Sequence, residues 1–202
     1  MSKNNGRLMK SFAEAENTIW SFTQRLFDIP HKLKTRFWYQ FFFGALGRGT
    51  VIRNPLLVSN PKYIWIGALT SVRDGGRLEV VKLPGRIPEL RIGNRVMIEQ
   101  HCHIACCNRI VIEDDVAIAA RCSIVDIRHP HPQSVNGGNV GSQIVLTDDT
   151  VRIGKGAFLG VGVTVLPGVT IGEGAVIGAH SVVSRNIPAY ALAVGCPAKP
   201  IS

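Results

Sequence analysis

Along most of this chain an aliphatic residue returns every six positions: Ile92, Ile98, Ile104, then Ile112, Ile118, Ile124, then Ile153, Leu159, Val165, Ile171, Ile177 and Val183. A helix repeats at 3.6 and a half-buried strand at 2, so neither template accounts for a period of six. The slot after each anchor is Gly, Ala or Glu in nine of the twelve cases, and the slot four after is Val, Ala, Ser or Cys in nine of twelve, so tight positions accompany the anchors. That pattern predicts an all-β parallel β-helix built from hexapeptides. Each hexapeptide supplies one short strand and a turn, three of them close a coil, and coils stack at the strand spacing of about 4.8 Å. The period alone leaves the hand of the coil open.

The ladder extends upstream, less cleanly, through Ile66, Val72 and Leu78, after which Val80 to Leu90 reads as an excursion carrying Pro84, Gly85 and Pro88. The step from Ile104 to Ile112 is eight, a two-residue insertion. The large interruption is the loop over 125–152, rich in Asp, His, Pro, Gly and Asn, and loops of that length in compact domains are usually functional or disordered. The predicted organisation is an N-terminal basic and aromatic helical segment over residues 1–60 and a β-helix domain over 61–202, ending in a tail over 187–202. Within the first segment, Ile19, Phe22 and Leu26 are spaced as on an amphipathic helix, Pro30 is expected to end it, and a second helix is expected to start near His31.

Composition narrows the picture. A chain of 202 residues can bury a sizeable core. It has no run of apolar residues long enough for a membrane-spanning helix and no basic-then-apolar leader, so the expected location is the cytoplasm. Cys102 and Cys122 fall on the small inward slot and no C-x-x-C pair exists, which reads as reduced thiols filling a core. The net charge of +9 is uneven, since residues 1–53 hold nine Lys or Arg against three Asp or Glu. Phe12, Trp20, Phe37, Trp38, Phe41 and Phe42 interleave with those cations. Two readings follow: helices that cap the open base of the prism, or peripheral contact of residues 1–44 with an anionic membrane at its inner face. Nucleic acid is not an expected partner, because no recognition motif accompanies the charge.

Four stretches carry a resemblance: I-V-D-I-R-H-P at 124–130, F-L-G-V-G-V-T-V-L-P-G-V-T-I-G at 158–172, V-I-G-A-H-S-V-V-S-R-N-I-P at 176–188 and V-G-C-P-A-K at 194–199. Over about residues 64–200 the chain resembles the hexapeptide-repeat acyltransferases, in particular the maltose, galactoside and polysaccharide O-acetyltransferase branch. The resemblance implies a left-handed coil, a homotrimer, acetyl-CoA as donor, no metal, and a saccharide acceptor. It implies His129 as general base, since acetyl transfer must strip a proton from the attacking hydroxyl and imidazole titrates near the working pH. His131, in the second His-Pro pair, competes for that role or contacts the acceptor. Asp126 is expected to orient the imidazole, and the backbone amide of Val161 to donate to the oxyanion. Gly160, Val161, Gly162, Ala179, Ser184, Arg185 and Lys199 fall on the positions that hold the donor, with Arg185 and Lys199 standing where the family has Lys and Arg. Glu99 and His101 replace an Asn-x-Asn of the sugar branch, so the acceptor contacts are expected to differ.

Competing functions remain at this level. An amine on an amino sugar needs the same base and donor groove as a hydroxyl, so N-acetylation is open. A β-helix scaffold without activity is a second alternative, opposed by His129 and the intact tail. Zinc-dependent hydration of carbon dioxide, known for some such coils, does not fit the spacing of His101, His103, His129, His131 and His180. The basic, aromatic N-terminal segment tilts the acceptor towards a surface polysaccharide or its lipid-linked precursor.

Overall fold

The computed structural model describes residues 28–131, 133 and 139–201. Residues 28–37 are helical, and Pro30 lies within that helix instead of ending it. Ile19, Phe22 and Leu26 lie outside the described residues.

The hexapeptides build coils of three strands each. The first is β1 (Ala45–Leu46), β2 (Val51–Ile52) and β3 (Leu57–Ser59), and the second β4 (Ile64–Ile66), β5 (Ser71–Val72) and β6 (Arg77–Val80). The third and fourth are β7 (Glu89–Ile92), β8 (Met97–Ile98), β9 (His103–Cys106) and β10 (Arg109–Ile112), β11 (Ala117–Ile118), β12 (Ser123–Val125). After the long loop come β13 (Thr150–Ile153), β14 (Phe158–Leu159), β15 (Thr164–Val165), then β16 (Thr170–Ile171), β17 (Val176–Ile177), β18 (Val182–Val183). The chain closes with β19 (Leu192–Gly195) and β20 (Ala198–Pro200), which pair antiparallel.

First strands pair with first strands, second with second and third with third, all parallel, giving three sheets around a triangular prism. The register places anchor on anchor: Ile66, Ile92, Ile112, Ile153 and Ile171 on the first face, Ile98, Ile118, Leu159 and Ile177 on the second, Ile104, Ile124, Val165 and Val183 on the third. These side chains are buried, each contributing about 1.5–3 kcal/mol relative to exposure. Cys102, Cys106, Cys107 and Cys122 are free thiols buried in the same interior.

The coil begins before residue 61. Leu46, Ile52 and Val58 continue the period, and β1, β2 and β3 pair with β4, β5 and β6. The first coil therefore lies inside the segment expected to be helical. Its small slots hold Thr50, Leu56 and Lys62 in place of Ala, Val or Ser, which blurs the repeat there.

Candidate functional site

Two corners of the prism repeat one backbone design, with the third residue after the anchor at positive φ; in the corner between the second and third faces these are Gly75, His101, Arg121, Gly162 and His180. The first residue after the anchor lies against the next coil's backbone. At Gly160 a Cβ would sit 2.7 Å from the amide nitrogen of Ala179. Glu99, His101, Gly160, Val161, Gly162 and Ala179 all share this corner. Among the described residues the amides of Ala120, Val161 and Ala179, stacked in its second slot, have no protein acceptor. They form a column up this corner, flanked in its third slot by the side chains of His101, Arg121 and His180. Glu99 is paired with Arg73 at 3.5 Å, and the His101 ring rests over Gly75.

The opposite corner, after the third face, carries the histidine. Behind β12 the chain leaves the prism into the long loop, whose neck is closed by several ties. Val145 donates its amide to the carbonyl of Arg128 at 2.9 Å, making an antiparallel bridge. The Arg128 guanidinium pairs with Asp149 and reaches the carbonyl of Pro167 at 3.3 Å. Arg86, on the excursion before β7, pairs with Asp148 at 2.8 Å. The hydrogen bond to Arg128 holds the Asp149 carboxyl below the usual carboxylate range.

Within this neck the His129 Nδ1 lies 2.8 Å from the carbonyl oxygen of Gln143. A carbonyl only accepts, so the neutral ring carries its proton on Nδ1 and leaves Nε2 with a free lone pair. His131 is arranged the other way, its Nδ1 accepting the amide of Gln133 at 3.4 Å, which puts the proton of the neutral ring on Nε2. His129 lines a groove of about 420 Å³ with Ile127, Arg128, Leu166, Pro167 and Ser184. Arg185 follows Ser184 on the surface, and Lys199 is exposed on β20.

Asp126 does not meet His129. It is fully buried, and its carboxylate accepts the amides of Cys107 at 2.6 Å and Asn108 at 3.0 Å. Burial, then the charge of Asp126, pushes the Cys107 thiol up to about 12. The orienting contact expected of Asp126 is made instead by the Gln143 backbone. Every residue offers a backbone carbonyl as an acceptor, so no side-chain signature marks Gln143 in the sequence; Arg86, Arg128 and Asp149 are equally hidden there, because their pairing depends on the loop's path. Within one chain, Ser184 shares the His129 groove, whereas Val161 and its neighbours stand across the third face.

Comparison with known proteins agrees with this architecture. Residues 150–185 match the family described as bacterial transferase hexapeptide (six repeats). Over 153 residues, 74% of this chain and 76% of the relative, the sequence is 34% identical to "Putative lipopolysaccharide biosynthesis O-acetyl transferase WbbJ" of Escherichia coli (strain K12). Among solved structures, a point mutant of AntD, an N-acyltransferase from Bacillus cereus in complex with dTDP and coenzyme A, superimposes with a TM-score of 0.68 at 20% identity, covering 81% of this chain and 85% of that one. A point mutant of perosamine N-acetyltransferase from Caulobacter crescentus, in complex with CoA and GDP-perosamine, gives a TM-score of 0.55 at 22% identity, covering 78% of this chain and 59% of that one. The likeness bears out the expected fold, the left-handed parallel β-helix.

Proposed function

Because the chain belongs to the hexapeptide-repeat acyltransferases, we propose that it moves the acetyl group of acetyl-CoA onto a hydroxyl of a saccharide, with His129 as the base. The observation that carries this reading is the contact between His129 Nδ1 and the Gln143 carbonyl, which leaves Nε2 as an acceptor on a residue that lines the groove with Leu166, Pro167 and Ser184. Nε2 takes the hydroxyl proton while the oxygen bonds to the acyl carbon. The same imidazolium then returns that proton to the sulfur as the carbon–sulfur bond breaks, so the ring ends neutral. The Val161 amide supplies the donor for the negative oxygen.

The wall of small corners at Gly160, Gly162 and Ala179 suits a narrow flexible arm, and the exposed cations Arg185 and Lys199 suit phosphates. Metal chemistry is not required by any step. The His129 corner and the Val161 corner stand on opposite edges of the third face, so one chain does not close the site. A neighbouring copy that sets its Val161 corner against the His129 groove closes it, and three copies turned about an axis facing the third sheet repeat that junction. The assembly so formed is a homotrimer.

The hydroxyl acceptor is favoured by the O-acetyl transferase of E. coli, the relative at 34% identity. An amino sugar is the second reading, favoured by the N-acyltransferases among the solved structures. A surface polysaccharide or its lipid-linked precursor fits the first. The test is release of free thiol from acetyl-CoA with a panel of saccharides and amino sugars, followed by mild alkali on the product: an ester is cleaved and an amide survives. Absence of any acceptor-dependent release would reject the acetyltransferase reading in favour of a scaffold.

A further inference from the structure

The helix over residues 28–37 is fixed to the first coil on one side only. Thr35, 2% exposed, donates to the carbonyl of His31 at 2.8 Å and accepts the amide of Ile52 at 3.0 Å. On the far side Ile29, Leu33 and Phe37, spaced four apart, are 45%, 51% and 63% exposed. The turn that follows splits its aromatics: Phe43 enters the core with Tyr39 against it, whereas Trp38, Phe41 and Phe42 stay 62%, 75% and 50% exposed. Six large apolar side chains thus face outward within one short segment, and soluble proteins rarely leave such a patch uncovered.

Charge identifies what covers it. From Ile29 to Arg73 the chain contains Lys32, Lys34, Arg36, Arg48, Arg53, Lys62 and Arg73 and no Asp or Glu. Arg53 and Arg73 have carboxylate partners. Among the described residues Lys32, Lys34, Arg36 and Arg48 have none. Lys32, Arg36 and Arg48 line a pocket of about 890 Å³ between the helix and the first coil, with Thr35, Gln40 and Leu69. A second copy of the same surface would set cation against cation. Residues 1–27 would do the same, holding Lys3, Arg7, Lys10 and Arg25 against Glu14 and Glu16.

We infer that Ile29, Leu33, Phe37, Trp38, Phe41 and Phe42 form a docking surface for an anionic lipid bilayer, with the Lys32–Arg36–Arg48 pocket receiving headgroup phosphate. Aromatic and aliphatic side chains enter the boundary between headgroups and acyl chains while the cations stay at headgroup depth. No helix among the described residues is long and apolar enough to cross the membrane. The surface is at the first coil and His129 follows the fourth, roughly 14 Å further along the prism at the usual strand spacing. Docking therefore leaves the groove open. The inference goes beyond the acyl-transfer reading and does not depend on it.

Flotation of the full chain with vesicles of phosphatidylglycerol and phosphatidylcholine, or of phosphatidylcholine alone, tests it. Recovery is expected with the anionic vesicles and is expected to fall with added salt. Arg36→Gln and Arg48→Gln should each weaken binding about fivefold, and Phe37→Glu with Phe41→Glu should abolish it. All these positions are at the surface, and unchanged melting temperature and acetyl-CoA turnover on a soluble acceptor exclude misfolding and separate this result from failure of the proposed reaction. Equal recovery on neutral vesicles, binding unaffected by the Phe substitutions, or uptake of inorganic phosphate without flotation would overturn it. So would a loss of mass by light scattering in the Phe variant, which would assign the patch to self-association.

Discussion

The imidazole of His180 lies directly over Gly162 of the preceding coil, where a Cβ would meet its Nδ1 at 2.6 Å and where φ is +70°. Two costs therefore fall on Gly162→Ala: the left-handed backbone and the displaced ring. Gly156, at φ +68° with nothing within 4 Å of a built Cβ, isolates the first cost alone. Gly156→Ala is expected to cost about 1 kcal/mol and Gly162→Ala about 2–3 kcal/mol. Thermal melts compare the two. If the Gly162 wall also holds the donor, the KM for acetyl-CoA rises in Gly162→Ala and stays unchanged in Gly156→Ala.

The two histidines of the loop make opposite contacts, and that opposition is measurable. His129→Ala is expected to lower kcat by about 10²- to 10⁴-fold with KM for acetyl-CoA little changed. His131→Ala, which removes a ring whose Nδ1 is engaged by Gln133, should retain most of the turnover. Thiol release under saturating acceptor distinguishes them. The reverse order of effects would transfer the base to His131.

The fold was legible because period six is enforced over many coils by one geometric demand, an aliphatic inward and a tight corner after it. It failed where that demand relaxes, at Thr50, Leu56 and Lys62 of the first coil. The site was legible only in its side-chain chemistry. His129 stands out by motif, but its partner is the Gln143 backbone carbonyl, which any residue would supply. Asp126, expected from the family resemblance to orient His129, turns inward because the residue after Val125 still follows the strand's inside–outside alternation.

The Arg128–Asp149 pair at the neck of the loop gives a pH signature. The Asp149 carboxyl is held below its ordinary range in the folded chain, so its contribution is complete at neutral pH and is lost as pH falls below about 4, through the depressed value. Asp149→Asn should therefore be less stable than the parent at pH 7, and the two should converge in acid. The pair is partly exposed, which limits the difference to under about 1 kcal/mol. Melting curves across pH, with proteolytic cleavage in the loop as a local readout, check both the sign and the convergence.

Asp126 offers a separation of stability from catalysis. Its two carboxylate oxygens are the acceptors for the Cys107 and Asn108 amides in a site closed to solvent. Asp126→Ala strands both donors, at about 1–3 kcal/mol each, and should lower the melting temperature by something of the order of ten degrees. Asp126→Asn keeps one acceptor and should fall between. The folded fraction of either variant, measured well below its melting temperature, should turn over near the parental kcat, because neither oxygen touches the His129 ring. A carboxylate that oriented the imidazole would behave in the opposite way, with kcat collapsing in Asp126→Asn while the melt stayed unchanged.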